Sequence, residues 1–209
     1  MANRTIVLVS QAQSHPKSDE VSDLNRALTD YGQFQAQDRG KRLLQRQLGD
    51  CCFGDHGIIL TSPAKRSQQT AYAIASEAPT LGCMQLSTVK SLYPSEAMVT
   101  AFKKHGLVPM SAYHQDPQTK SSIVDTGSAM VADVRDFLRA NQGSGGPVLV
   151  STHPVMITAM LLEMPGIYFK EKQRGVQHIL DYLIGECEGY LVKLDDGFNV
   201  VHFEFLRNT

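Results

Sequence analysis

The chain has 209 residues, of which 42% are hydrophobic and 20% are charged, and its formal net charge is -1. This balance is typical of a globular protein with a hydrophobic core, and it excludes a disordered chain. A net charge so close to zero gives no overall attraction for nucleic acid or for an anionic membrane. No apolar run approaches the roughly 20 residues that a membrane-spanning helix needs, and the amino terminus has no signal-peptide pattern. We therefore expect a cytoplasmic protein that binds neither nucleic acid nor membranes.

The four cysteines are the adjacent pair Cys51-Cys52 and the isolated Cys83 and Cys187. Their spacing fits neither a disulfide framework nor a structural zinc site. We therefore expect reduced thiols, no bound metal and no cofactor.

Short, continuous apolar runs predict the strands of a buried parallel sheet. The predicted strands are residues 6–9, 58–60, 86–89 and 148–150. Near the carboxyl terminus, residues 189–194 and 199–205 alternate between apolar and polar side chains. Because Asp195-Asp196-Gly197 separates these two segments, they predict a β-hairpin.

Helical patterns follow most of the strand segments. Thr29 has the side chain of a helix N-cap, and Ser62-Pro63 is a suitable helix start because proline is tolerated in a first turn. The predicted helices are residues 30 to about 48, 62–75, 128–140 and about 155–162.

This alternation of strands and helices predicts an α/β fold, a three-layer sandwich with a largely parallel central sheet flanked by helices. We expect one domain over residues 1–209, with a partly helical insertion at about 93–125. In open parallel sheets, ligands bind outside the carboxyl ends of the strands. Polar residues that could form such a site follow three of the predicted strands: Ser10 and Gln11, Ser62 and Arg66, and His153. We therefore expect these side chains to converge on one pocket.

Three sequence motifs indicate the chemistry of the predicted pocket. Residues 28–36 read Leu-Thr-x-x-Gly-x-x-Gln-Ala, residues 62–71 read Ser-Pro-x-x-Arg-x-x-Gln-Thr-Ala, and residues 152–154 read Thr-His-Pro. Together they resemble the histidine phosphatase (phosphoglycerate mutase-like) superfamily. Residues 23–29, Asp-Leu-Asn-Arg-Ala-Leu-Thr, are most similar to its short, phosphohistidine-phosphatase-like branch. The resemblance implies a phosphoglycerate mutase-like fold.

The same resemblance implies roles for individual residues. In active members of the family, two arginines and two histidines surround the phosphoryl group, and one of the histidines attacks phosphorus. Arg66 and His153 match the second arginine and the second histidine. The first strand, however, ends in Ser10-Gln11-Ala12 where the family has Arg-His-Gly. Ser10 therefore stands in place of the first arginine, and Gln11 stands in place of the nucleophile.

These two replacements change the predicted chemistry. The amide nitrogen of Gln11 shares its lone pair with the carbonyl group, so it is a hydrogen-bond donor and not a nucleophile. Ser10 removes a positive charge from the phosphate site, and losing one such contact costs on the order of a few kcal/mol of transition-state stabilisation. We predict a degenerate member that binds a phosphorylated small molecule or phosphoprotein through Ser10, Gln11, Arg66 and His153. His153 would contact phosphate or act as an acid or base, and phosphatase activity would be low or absent.

Two alternatives remain open at this stage. The first is an active phosphomonoester or phosphohistidine phosphatase with an atypical site, in which His15 or His153 is the nucleophile. In that case Lys17 would replace part of the missing charge, and Glu96 lies where some members of the family carry an acid. On the simpler interpretation, His15, Lys17 and Glu96 are exposed loop residues. The second alternative is a scaffold protein with an empty pocket. The sequence defines no oligomeric state.

Overall fold

The computed structural model describes residues 4–45, 57–77, 85–141, 146–168 and 173–208. These residues form a six-stranded sheet that is covered by helices on both faces. The strands are β1 (Arg4–Ser10), β2 (Ile58–Thr61), β3 (Gln85–Thr88), β4 (Val148–Thr152), β5 (Gly189–Leu194) and β6 (Val200–Leu206). The α-helices are α1 (Asp30–Gln45), α2 (Lys65–Ala75), α3 (Glu96–His105), α4 (Met110–Tyr113), α5 (Pro117–Ala140), α6 (Pro154–Glu163) and α7 (Gln173–Asp181). Two short 3-10 helices lie at Asp23–Asn25 and Lys90–Leu92.

The strand order is β3-β2-β4-β1-β5-β6. Strands β3, β2, β4 and β1 are parallel to one another, and the β5–β6 hairpin adds two antiparallel strands at one edge. The prediction of an α/β sandwich with a largely parallel sheet is confirmed, and so is the predicted hairpin. None of the helices within the described ranges is long and apolar enough to cross a membrane.

Strand β1 lies inside the sheet and contributes to the hydrophobic core on both of its faces. Successive side chains of a strand point to opposite faces. Ile6 and Leu8 pack in the core cluster beneath α5 and α6, whereas Val7 and Val9 pack in the cluster beneath α1 and α2. All four side chains are fully buried. A strand buried on both faces has a continuous apolar sequence, which explains why β1 is so evident in the sequence.

The helix starts agree with the sequence in some places and differ in others. The Thr29 hydroxyl accepts a hydrogen bond from the Gly32 N–H at 3.0 Å, which confirms Thr29 as the N-cap of α1. The predicted end of α1, at about residue 48, lies outside the described residues. Helix α5 begins at Pro117 and not at residue 128. Asp116 caps it by accepting from the Gln118 N–H, so a capping residue followed by proline was the signal for the true start.

Helix α7 has no counterpart among the predicted elements. The predicted insertion at about 93–125 contains α3, α4 and the first turns of α5. Helix α3 begins at Glu96 after the N-cap Ser95, whose hydroxyl accepts from the Met98 N–H at 3.2 Å. This part of the chain is therefore more regularly helical than its prolines suggest.

Gly32 allows α1 to lie directly against the segment that follows β1. A Cβ atom at this position would be 2.0 Å from the carbonyl oxygen of Gln13, so no side chain fits. The same segment is fixed by the Thr29 N–H, which donates to the Gln13 carbonyl oxygen at 3.1 Å. It is also fixed by the Gln35 side-chain oxygen, which accepts from the Gln13 N–H at 3.0 Å. The glycine of the first motif thus positions the chain immediately after Gln11.

We predict that Gly32→Ala destabilises the protein. Alanine raises helix propensity by about 1 kcal/mol relative to glycine, but the clash is with backbone, and such overpacking typically costs about 1 to 3 kcal/mol. We expect a net loss of about 1 kcal/mol in the free energy of unfolding, or roughly 3 °C in Tm. Urea and thermal unfolding measure this effect. Gln33→Ala, at an exposed position of the same helix, is the control and should change stability by less than about 0.5 kcal/mol. Equal stability of the two variants would contradict the prediction.

Candidate functional site

A pocket of about 620 Å³ lies where β1 and β4 end. Gln11 directly follows β1 and His153 directly follows β4, and both side chains line the pocket. Arg66, from the first turn of α2, lies between them. The pocket therefore occupies the position at the carboxyl ends of the strands that is expected for ligands of open parallel sheets.

Three of the four predicted site residues meet in this pocket. The Arg66 Nε donates to the Gln11 side-chain oxygen at 2.8 Å, and the Arg66 Nη2 lies 3.4 Å from the His153 Nδ1. Ser10 is fully buried and is not among the lining residues in the described part of the chain. Its hydroxyl donates to the carbonyl oxygen of Gly185. A contact between Ser10 and phosphate therefore stays a prediction.

The Arg66 guanidinium is almost fully engaged by the protein itself. It is 4% exposed. Its Nη2 donates to the Asp23 Oδ2 at 2.8 Å, and its Nη1 donates to the Asp23 carbonyl oxygen. Together with the contacts to Gln11 and His153, these bonds use four of the five N–H groups of the side chain. The charge of Arg66 is thus compensated in this state of the protein.

Asp23 accepts hydrogen bonds from three side chains in the pocket. Its Oδ1 accepts from the Arg26 Nη1 at 2.9 Å, and its Oδ2 accepts from both Arg66 and the Tyr93 hydroxyl, the latter at 2.9 Å. Burial by itself would raise the pKa of Asp23, but the hydrogen bonds from Arg66 and Tyr93 and the charge of Arg66 lower this pKa to about 2. The carboxylate is therefore ionised at neutral pH and carries no proton to give to a leaving group.

His153 is 6% exposed and is held at both ring nitrogens. Because a guanidinium has only donors, the His153 Nδ1 must accept from Arg66. The ring proton therefore resides on Nε2, which lies 3.4 Å from the Ser62 hydroxyl oxygen. Burial and the charge of Arg66 lower the pKa of His153 to about 3, so the ring is neutral at physiological pH. In this tautomer its lone pair faces Arg66 and not the pocket.

The other half of the pocket is apolar. Phe102 and Val99 reach it from α3, and Leu107 follows the same helix. Leu183 and Ile184 line it from the segment before β5. Val99, Leu107 and Leu183 are 37%, 64% and 36% exposed, so they form an apolar mouth in contact with solvent. The predicted insertion thus contributes directly to the wall of the site.

Comparison with solved structures gives matches over almost the whole chain, whereas no family model and no curated protein sequence matches it. The putative phosphohistidine phosphatase SixA from Agrobacterium tumefaciens aligns over 99% of both chains, with 15% identity and a TM-score of 0.54. A mycobacterial glucosyl-3-phosphoglycerate phosphatase aligns over 98% of this chain and 97% of its own, with 17% identity and a TM-score of 0.62. The chain has the histidine phosphatase fold.

A third similar structure holds a ligand. It is a variant of phosphoserine phosphatase from Entamoeba histolytica, with one histidine replaced by alanine, in complex with phosphoserine. It is 14% identical, aligns over 96% of both chains and has a TM-score of 0.55. These structures confirm the fold expected from the sequence motifs. At identities of 14 to 17% the similarity extends to the fold alone, and the chemistry of this chain depends on its own side chains.

Within the histidine phosphatase fold, this pocket contains side chains that the sequence analysis did not assign to it. These are Asp23, Arg26 and Tyr93. Asp23 and Arg26 belong to the segment 23–29, whose resemblance to one family branch does not indicate that it reaches the pocket. Asp23 and Arg26 are three residues apart, which suits an ion pair on a tight turn. This spacing is the sequence signal that could have predicted their contact. Tyr93 had no such signal, since it lies at the start of the insertion.

The alternative site residues that the sequence offers lie outside the pocket. His15, Lys17 and Glu96 are exposed, and none of them is among the lining residues in the described ranges. The His15 carbonyl oxygen accepts from the Arg26 Nε at 2.9 Å, so this residue supports the loop through its backbone. Glu96 lies in the first turn of α3.

We predict that His153 makes the protein less stable in acid. In the unfolded chain a histidine has a pKa of about 6.5, whereas His153 stays neutral in the fold down to about pH 3. Between these values the unfolded state binds more protons, so the free energy of unfolding falls as the pH falls, by at most about 1.4 kcal/mol per unit. In His153→Gln the loss of stability from pH 7 to pH 5 should therefore be smaller, by about 2 kcal/mol at most.

Urea unfolding at the two pH values measures this difference. His202→Gln, at an exposed position of β6, is the control and should leave the pH dependence of the wild type unchanged. The same pH dependence in His153→Gln and in the wild type would contradict a neutral His153.

Proposed function

We propose that this protein, as a single cytoplasmic domain, binds a phosphorylated small molecule or phosphoprotein in the pocket and hydrolyses it little or not at all. The observation that carries the proposal is Gln11 at the end of β1. Since Arg66 can only donate, the atom of Gln11 at 2.8 Å from it is the side-chain oxygen. The amide nitrogen is left with two N–H groups and no lone pair for attack on phosphorus.

Binding of a phosphoryl group is supported by the donors of the pocket. Arg26 and Arg66 both line it, and arginine is well suited to phosphate because its N–H groups match pairs of phosphate oxygens. None of the hydrogen bonds among the described residues uses the Gln11 Nε2, so its N–H groups are available to a ligand. The structural neighbours include phosphatases and a histidine-to-alanine variant with phosphoserine bound.

The geometry disfavours the alternative of an active phosphatase. His153 directs its lone pair to Arg66, and His15 is exposed and outside the pocket wall. Asp23 is ionised and has no proton for a leaving group. The alternative of a scaffold with an unused pocket is disfavoured because Arg26, Arg66 and the amide N–H groups of Gln11 line one pocket and are donors that suit a phosphoryl group.

Titration of the purified protein with phenyl phosphate, followed by calorimetry, tests the proposal. We expect binding at millimolar concentration or tighter, no multiple turnover, and at least a tenfold loss of affinity in Arg66→Gln, since a hydrogen bond to a charged group contributes about 1.5 to 3 kcal/mol. Arg139→Gln, at an exposed position of α5, is the charge-matched control and should bind as the wild type does. Absence of binding would support the scaffold alternative. Turnover that disappears in His153→Ala would support the active phosphatase.

We further predict that Ser10→Arg combined with Gln11→His creates a phosphatase. The imidazole would attack phosphorus while the bond from phosphorus to the leaving oxygen breaks, and the arginine would contribute on the order of a few kcal/mol to stabilising the transition state. We expect hydrolysis of phenyl phosphate and a phosphohistidine at position 11, detected by mass spectrometry after acid-free quenching. Ser10→Arg with Gln11→Asn keeps an amide and is the matched control without a nucleophile. A folded double variant that forms no phosphohistidine would show that more than these two residues has been lost.

A further inference from the structure

The Asp23 carboxylate lies where the pocket would hold the anionic group of a ligand. Its oxygens accept from Arg26 at 2.9 Å, from Arg66 at 2.8 Å and from the Tyr93 hydroxyl at 2.9 Å. We call these three donors the anion seat. Two guanidinium groups and a hydroxyl are the donors that suit a phosphoryl group. In this structure the protein's own side chain makes those bonds.

The charges of the pocket also indicate that Asp23 stands in place of a ligand anion. The ionised side chains that line it are Arg26, Arg66, Asp23 and Glu186, and their formal charges cancel. His153 adds no charge, because burial and the charge of Arg66 lower its pKa to about 3. A ligand anion therefore meets a pocket without net positive charge as long as Asp23 remains in the seat. If Asp23 leaves, the charged side chains that line the pocket carry one net positive charge.

Asp23 belongs to a part of the chain that can move without opening the core. It starts the 3-10 helix Asp23–Asn25, which has no buried residue, and residues 15–22 before it are exposed. The base of this loop is closed by the bridge between Ser14 and Leu28. A shift of the 3-10 turn would therefore break the side-chain contacts of Asp23, and the bond from Arg66 to its carbonyl oxygen, while leaving the loop anchored.

A change of pH within the physiological range would not empty the seat. The pKa of Asp23 is about 2, so the carboxylate keeps its charge, and only another anion can take its place. A phosphoryl monoester carries close to two negative charges at neutral pH. A carboxylate ligand carries one, which is no more than Asp23 itself carries. A phosphoryl dianion is thus the better competitor for the two arginines.

We infer that Asp23 is an internal competitor for the anion seat, and that it sets a threshold of affinity which phosphoryl dianions pass and single carboxylates do not. A bound phosphoryl group takes over the bonds from Arg26, Arg66 and Tyr93 while the 3-10 turn moves outward. This inference rests on the proposed function, since it concerns the regulation and selectivity of the same pocket.

Calorimetric titration with phenyl phosphate and with benzoate at pH 7.5 tests the inference. We expect the wild type to bind phenyl phosphate and to bind benzoate at least about tenfold more weakly, with both affinities measurable. In Asp23→Asn both affinities should rise by the same factor, at least about tenfold or 1.4 kcal/mol, because removing a competitor favours every ligand of the seat equally. Asp19→Asn, on the exposed part of the same loop, removes an equal charge and should have no effect. Asp23→Ala is the second variant, and thermal unfolding verifies that each variant is folded.

The possible outcomes separate this inference from the proposed function. One outcome is that phenyl phosphate binds in a way that depends on Arg66, with the same affinity in both Asp23 variants as in the wild type. This outcome would overturn the inference and leave the proposed function intact. The inference would also be overturned if the factor by which the affinity for phenyl phosphate rises were the square of the factor for benzoate. That result would mean that Asp23 only repels the ligand through space, since this repulsion scales with ligand charge. Absence of binding in the wild type and in both variants would overturn the inference together with the proposed function.

A measurement on the wild type avoids any dependence on the variants. The ¹³C resonance of the Asp23 carboxyl group reports its hydrogen bonds, and it should move towards that of a solvated aspartate as phenyl phosphate saturates the protein. An Asp23 resonance that stays unchanged at saturation would mean that Asp23 keeps the seat, and would overturn the inference.

Discussion

A buried guanidinium needs a partner for each of its donors, since an uncompensated buried charge costs several kcal/mol. Arg66 is 4% exposed and pairs four of its five N–H groups with residues from three separate parts of the chain. It donates to Gln11 after β1, to Asp23 on the following loop and to His153 after β4. The orientation of the Gln11 amide and the tautomer of His153 follow from this one side chain, which also helps to lower the pKa of Asp23.

The amide of Gln11 fits this site because its side-chain oxygen accepts from the Arg66 Nε. An amide nitrogen has no nucleophilic lone pair, so Gln11 satisfies the arginine without being able to attack phosphorus. Ser10 is paired in a different way. Its hydroxyl donates to the carbonyl oxygen of Gly185, and the formal charges of the side chains that line the pocket cancel. Both residues therefore leave a well-paired interior in the described part of the chain.

The sequence predicted those features that depend on local pattern. Strand β1 was evident because it is buried on both faces, and Arg66 and His153 were placed in one pocket because each follows a strand of the same sheet. Asp23 and Tyr93 were not predicted, since their contact depends on how an exposed loop and the start of α3 fold over the strand ends. The early start of α5 was not predicted because its first turns lie within the partly helical insertion at about 93–125, although proline is favourable in the first turn of a helix.

The two halves of the pocket have different consequences for affinity. On the proposed function, a phosphoryl ligand has to displace Asp23 from Arg26 and Arg66. The free energy that it gains is therefore only the difference between its own bonds to the two arginines and the bonds of Asp23 that it breaks. The apolar half has no such competitor, because Phe102 and Leu107 offer only surface to be covered. At about 25 cal/mol per Å² of apolar surface buried, covering roughly 60 Å² is worth about a tenfold gain in affinity. Inorganic phosphate has no apolar surface to bury, so on the proposed function a ligand that combines a phosphoryl group with an apolar body reaching α3 would bind more tightly.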